Sequence, residues 1–219
     1  MNVYFISGLA ADRTVFKNLI LPAHCTAVYL DWIEPQPEET LAQYAQRLSA
    51  TIDKTSPFAL IGLSFGGMIA IEIANRLQPA VTILISSIPG VHGLPFYYHF
   101  AKRLRLHKLV PISALQQLSL LKRLFTTETS EDKRLLKAMI RNSNPKFIRW
   151  CLHAILTWDS EKVPQRLVHI HGTRDEVLPM RFVKPTHIIK GGGHLLVLNR
   201  AKEVNKILKE VLMENAYPA

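Results

Sequence analysis

Six short apolar runs, rich in β-branched residues and separated by helical or polar stretches, constrain this chain more than any other feature. They read NVYFIS from Asn2, TAVYL from Thr26, FALIGL from Phe58, VTILIS from Val81, RLVHIHG from Arg166 and THII from Thr186. A strand with one wet face alternates apolar and polar residues, whereas a strand covered on both faces is continuously apolar, as these are. Helical periodicity fills the intervals at 13–20, 38–54, 65–77 and 199–213. Strands alternating with helices predict an α/β fold, doubly wound around a mostly parallel six-stranded sheet.

Between the fourth and fifth runs the pattern changes. Leu135, Leu136, Met139 and Ile140, then Phe147, Trp150, Cys151, Ala154, Ile155 and Trp158, recur at steps of three and four, the spacing of one helix face. The same segment holds 13 Lys or Arg against 5 Asp or Glu, which accounts for +8 of the chain's net charge of +10. The expected organisation is a core of residues 1–88 and 164–219 carrying an all-helical, basic insertion at 89–163.

Composition excludes several classes. With 48% apolar and 20% charged residues over 219 positions, the chain has enough apolar side chains for one packed core and too little charge density for disorder. Cys25 and Cys151 are too few and too distant for a disulfide framework or a metal knuckle, and they fit a reducing, cytoplasmic setting. The opening MNVYFISGLA lacks the basic start and long apolar run of a signal peptide. The longest stretch without Asp, Glu, Lys or Arg, 77–101, contains Pro79, Pro89, Gly90, Gly93 and Pro95, so no membrane span is expected.

The run FALIGL leads directly into Ser64 and then into the helical FGGMIAIEIANRL, which sets Gly62-Leu63-Ser64-Phe65-Gly66, a G-x-S-x-G pattern, at a strand-to-helix turn. A nucleophile on so tight a turn needs nearly side-chain-free neighbours two residues before and after it, because strand and helix backbones converge there; Gly62 and Gly66 supply that room. The helix that follows points its positive end at the serine, and Phe65 N–H is the natural first donor to a developing oxyanion. Alone, the pattern also suits a glycine-rich packing turn in which the serine is only a helix cap.

A serine of ordinary acidity needs a base, and the base needs a carboxylate that fixes its tautomer. Asp175 follows the fifth run in HGTRDEVLP, and His194 follows the sixth in GGGH, both at the carboxyl ends of strands, where parallel sheets gather their sites. Of the nine histidines, His169 and His171 read as core residues of a strand, and His92, His99, His107 and His153 fall in the insertion. Glu176, beside Asp175, is the rival acid. After the first run, Ser7-Gly8-Leu9-Ala10-Ala11-Asp12 offers Leu9 N–H as a second oxyanion donor; the same residues read as a plain turn in which Asp12 caps a helix near Arg13.

The GLSFG elbow, the HGTRDEVLP loop and the GGGH loop together resemble the α/β-hydrolase superfamily, over essentially the whole core. The resemblance implies a six-stranded parallel sheet, a Ser64 nucleophile, a His194 base, an Asp175 orienter, and an oxyanion hole from the Leu9 and Phe65 amides. It also implies that 89–163 is the family's helical cap. Ser7 and Ala10 stand where many relatives carry histidine and glycine, and a serine nucleophile argues against the aspartate-dependent dehalogenases and epoxide hydrolases. The activity implied is hydrolysis of a small carboxylic ester or thioester through an acyl-enzyme, with no metal or organic cofactor. Two alternatives stay open on the same residues: a ligand receptor that turns over slowly, and carbon–carbon or cyanohydrin cleavage.

The basic insertion admits three readings. Its cations are solvated outer faces of cap helices; or Lys102, Arg103, Arg105, Lys108, Lys122 and Arg123 attract an anionic substrate; or they contact nucleic acid or an anionic membrane surface, for which no recognition module or spaced aromatic set is present. The apolar face of Phe147, Trp150, Ile155 and Trp158 reads as cap core rather than as an acyl pocket.

Overall fold

A computed structural model describes residues 1–103 and 128–215. Six strands form one all-parallel sheet in the order β2-β1-β3-β4-β5-β6: β1 (Asn2–Ile6), β2 (Thr26–Tyr29), β3 (Phe58–Leu63), β4 (Val81–Ile85), β5 (Leu167–Gly172) and β6 (His187–Ile189). In the register Ile6 pairs with Gly62, Leu63 with Ile85, and Gly172 with Ile189, so the strands end along one edge. The chain moves outward from β1 to β2 and returns to the other side of β1 with β3. That reversal opens a crevice between the ends of β1 and β3.

Both faces of the sheet are covered, which is why β3 and β4 are buried at every position. Side chains alternate across a strand. Tyr4, Ile6, Phe58 and Leu60 accordingly pack with α1 (Leu41–Leu48) and α2 (Phe65–Leu77), while Val3, Phe5, Ala59 and Ile61 pack with Val204, Leu208 and Val211 of the C-terminal helix (Ala201–Glu214). Between β4 and β5 the described elements are all helical: a 3₁₀ turn (Val91–Gly93), α3 (Phe96–Arg103), α4 (Ser130–Asn142) and α5 (Pro145–Thr157). A short α6 (Leu196–Asn199) precedes the C-terminal helix, α7. Of the basic residues singled out above, Arg105, Lys108, Lys122 and Arg123 lie outside the described residues, as does His107.

Two helices are shorter than their periodicity predicts. The 13–20 stretch forms only a 3₁₀ turn, Arg13–Phe16, in which Asp12 caps Thr14 N–H and Lys17 N–H closes back on Thr14; Val15 and Phe16 alone are buried, too little to anchor further turns. The 38–54 stretch begins at Leu41, where Thr40 and Gln43 form a reciprocal capping box, because Glu38 takes a positive φ of 57° that no helix accommodates. It tightens into a 3₁₀ turn at Ser49–Thr51. The 199–213 stretch is interrupted at Arg200, which separates α6 from α7.

Among the described residues no helix is long and apolar enough to cross a membrane.

Candidate active site

Ser64 sits between β3 and α2 with φ 52° and ψ −119°, a conformation that side chains rarely adopt. The surroundings hold it there. Its N–H donates to Ile85 O at 2.9 Å, and its carbonyl accepts from Gly67 N–H at 2.9 Å and from Ser87 Oγ at 2.6 Å. The glycines on either side are dictated by close approach: a Cβ at Gly62 would lie 2.5 Å from Gly66 O, and one at Gly66 would lie 2.2 Å from Ser7 O. The sharp turn lifts the Ser64 side chain clear of the sheet edge, where it stays partly exposed.

Asp175 and His194 reach the same edge from the loops after β5 and β6. Ser64 Oγ lies 2.8 Å from His194 Nε2, and His194 Nδ1 lies 2.8 Å from Asp175 Oδ2. Because Oδ2 can only accept, His194 carries its hydrogen on Nδ1 and Nε2 is left to accept from the serine hydroxyl. Asp175 Oδ1 takes backbone N–H bonds from Val177 and Leu178, at 2.9 and 2.8 Å. Burial would push the Asp175 carboxyl up, but the charge and hydrogen bond of His194, the hydrogen bond of His171 and the Leu178 amide outweigh it and hold the group well below the usual carboxylate range. Glu176 makes no such contact and stays exposed.

The loop after β1 closes the crevice from the other side. A Cβ on Gly8 would meet Ser64 Cβ at 3.4 Å, so this backbone runs alongside the nucleophile. Ser7 Oγ donates to Ala11 O at 2.9 Å, and Trp32 Nε1 donates to the same carbonyl at 2.8 Å, which ties the loop into a compact turn. Ala10 adopts φ 58°. It occupies the backbone conformation that glycine favours without being glycine, and Ser7 stabilises the turn by its own hydroxyl. Neither Leu9 N–H nor Phe65 N–H donates to a backbone carbonyl among the described residues.

The Phe65 ring is packed between Trp32, at 6.0 Å between centroids, and Trp150 of α5, at 6.1 Å; Trp150 lies against Tyr44 of α1, tilted, at 4.4 Å. Helix α5 is thereby docked on the elbow by its aromatic face. Phe147 joins this cluster, and Trp158, just past the helix, is buried with its Nε1 donating to Glu72 of α2 at 2.7 Å. Beside the β1 loop, Ala10, Ala11, Trp32, Met139 and Phe147 line a cleft of about 280 Å³. A larger cleft, about 810 Å³, opens at the opposite edge, where β3, β4 and β5 begin, and is lined by Phe58, Thr82 and Arg166. Volume therefore does not identify the site; the convergence of side chains does. Among the described residues no group of three or more His, Cys, Asp or Glu side chains is arranged to hold a metal ion.

The sequence model of the alpha/beta hydrolase family matches residues 3–207. The chain belongs to the alpha/beta hydrolase family. Solved structures agree on the fold. MenH from S. aureus is similar at TM-score 0.76 and 15% identity, covering 99% of this chain and 95% of its own. An esterase from Exiguobacterium antarcticum is similar at 0.75 and 14%, covering 99% and 92%. A thermophilic esterase from Thermogutta terrifontis is similar at 0.71 and 16%, covering 99% and 91%. No curated protein matches the chain in sequence. Membership makes this alpha/beta hydrolase an enzyme of hydrolytic type.

Two neighbours of the site escaped the sequence reading. Ser87, which tethers the Ser64 carbonyl, lay inside the apparently featureless ISSIPG that follows β4. His171, read only as core, touches Asp175: its Nε2 is 3.3 Å from Oδ2. The available signal was spacing, since His171 and Asp175 are four residues apart across a strand-end turn.

Proposed function

We propose that this alpha/beta hydrolase cleaves a small carboxylic ester or thioester through an acyl-enzyme, with Ser64 as nucleophile, His194 as general base and Asp175 as its orienter. The observation that carries the reading is the unbroken hydrogen-bonded series from Ser64 Oγ through His194 to a buried, ionised Asp175. Ser64 Oγ attacks the substrate carbonyl while its proton passes to His194 Nε2. The oxyanion of the tetrahedral intermediate is held by the Leu9 and Phe65 amides, with the α2 N-terminus adding its positive end. His194 then gives the proton to the departing alcohol or thiol. A water enters, loses a proton to the same nitrogen and attacks the acyl carbonyl, and the acid leaves as His194 returns that proton to Ser64 Oγ. The esterases among the similar structures support this reaction class.

Residues 89–163 serve as a cap over the core of 1–88 and 164–219 in this reading, a role supported by the docking of α5 on Phe65 and Tyr44. The cleft beside Ala10 and Phe147 receives part of the substrate. The cap's excess of Lys and Arg favours an anionic acyl compound.

Intact-mass analysis after exposure to a fluorophosphonate tests the assignment without a chosen substrate. One adduct on the native chain and none on Ser64→Ala is the expected result. No adduct on the native chain, or equal labelling of the two, overturns it. Turnover of an anionic ester that weakens steeply with added salt, against a salt-insensitive neutral ester, separates an anionic substrate from a neutral one.

A further inference from the structure

Strand β5 carries two buried histidines that the reaction above leaves unused. His169 and His171 lie two residues apart, hence on one face of the strand, with their rings edge to face at 5.0 Å between centroids. His169 Nε2 and His171 Nδ1 are 2.9 Å apart. His171 Nε2 is 2.7 Å from Leu178 O and 3.3 Å from Asp175 Oδ2. A carbonyl and a carboxylate can only accept, so the hydrogen on His171 must sit at Nε2 whatever the charge of the ring. In the neutral ring Nδ1 is then an acceptor, and His169 supplies its Nε2–H. The direction of donation runs from His169 through His171 to Leu178 O, with the carboxylate oxygen that receives His194 Nδ1–H only 3.3 Å from the same nitrogen.

We propose that His171 is a positioning residue for this active site, acting through Asp175. The inference rests on the Ser64–His194–Asp175 reading. Leu178 donates its N–H to Asp175 Oδ1 and accepts His171 Nε2–H at its carbonyl, so one imidazole grips both the carboxylate and the loop that cradles it. Oδ2 is bonded to His194 and lies 3.3 Å from His171 Nε2, whose N–H dipole draws part of its negative charge away from His194. Among the described residues Tyr98, whose hydroxyl donates to Val177 O at 3.3 Å, and Tyr97 also face this corner; both feel the Asp175 charge. Neither touches Oδ2. A residue needed only for volume at this fully buried position would be apolar, since burying two ring nitrogens is costly unless both are bonded, and here both are.

Loss of the His171 N–H should slow acylation and leave Oδ2 a stronger acceptor for His194, which raises the pH at which the enzyme is half active. The rate of fluorophosphonate labelling of Ser64 is measured against pH in the native chain, His171→Leu and His171→Gln, with Ser64→Ala as blank. The Leu variant should label roughly tenfold to a hundredfold more slowly, with its pH midpoint moved upward. The Gln variant presents an amide N–H near the place of Nε2 and should recover to within about threefold, at the native midpoint. A folded Leu variant with native rate and midpoint overturns the inference. So do equal losses in Leu and Gln with the midpoint unmoved, which would mark a packing effect. If the Leu variant does not fold, His171→Asn replaces it: its donor falls a methylene short, and labelling equal to Gln overturns the proposal. A native chain that never labels instead overturns the hydrolase reading itself.

Discussion

His169 should make the fold sensitive to acid beginning at about pH 6.5, above the ordinary carboxylate range. Burial on β5, and then the repulsion that any proton on neighbouring His171 would exert, push its imidazole down from 6.5 to about 3, and the Ser87 backbone and Asp175 only partly oppose this. Between those limits the unfolded chain holds a proton that the native chain excludes. The stabilisation is therefore complete above about pH 6.5 and is lost as pH falls toward the native value, by about 1.4 kcal/mol for each unit. From about pH 7 to about pH 4.5 the loss is roughly 2.7 kcal/mol, a large part of the 5–15 kcal/mol typical of a domain. Asp175 does not confuse the reading. Its carboxyl is held below 3.8, so its contribution is present above that value and is lost only at more acid pH.

Urea unfolding followed by tryptophan fluorescence at the two pH values, in the native chain and in His169→Gln, isolates the effect. Glutamine keeps an N–H for His171 Nδ1 and cannot titrate. The variant should lose about 2–3 kcal/mol less than the native chain on acidification, whatever its stability near neutral pH. Equal losses in both chains would show that His169 is protonated in the fold and that the buried pair is built differently.

Two backbone substitutions probe the edge of the sheet. Gly66→Ala places a Cβ 2.2 Å from Ser7 O and 2.3 Å from Ile6 O, atoms that move only if β1 parts from β3, so it should destabilise the chain by about 3 kcal/mol or more; a urea midpoint within about 0.5 kcal/mol of native would refute the close approach. Ala10→Gly relieves a left-handed alanine and should raise stability by roughly 0.5–1 kcal/mol, and a lowered melting point would mean that Ala10 is not held at positive φ.

What could be read from the sequence follows from how local each signal is. Ser64, Gly62 and Gly66 announce themselves because the turn that holds them is made of consecutive residues, and Asp175 and His194 because each follows a recognisable strand. The four inner strands were legible because burial on both faces makes them continuously apolar, whereas β2 and β6, at the sheet edges, have the apolar runs but are exposed or half-buried at most positions, against the expectation that both faces of every strand are covered. His171 was not, because its partner Leu178 O and its neighbour His169 become significant only once the loop after β5 folds back on the strand. The lengths of the helices at 13–20 and 38–54 failed for a related reason: periodicity reports an apolar face, whereas the ends are fixed by Asp12, by the Thr40–Gln43 box and by the positive φ of Glu38.

Ser87 shows how the elbow keeps a conformation that costs about 1–3 kcal/mol in isolation. The Ser64 carbonyl receives two donors, and only Gly67 N–H is supplied by the helix itself; the second, Ser87 Oγ, comes from the end of β4, so the strain is held by the neighbouring strand. Ser87→Ala removes that donor while leaving the carbonyl bonded, and the expected loss is about 1 kcal/mol, the worth of one buried neutral hydrogen bond rather than of an orphaned group. Because the tether fixes the backbone that carries Oγ, the same variant should slow fluorophosphonate labelling by several-fold more than Thr82→Val. That substitution, on the same strand, removes a buried hydroxyl that has no partner among the described residues, and it should leave labelling unchanged. Equal labelling rates in the two variants, with both folded, would mean that the glycines and the helix hold Ser64 without help from β4.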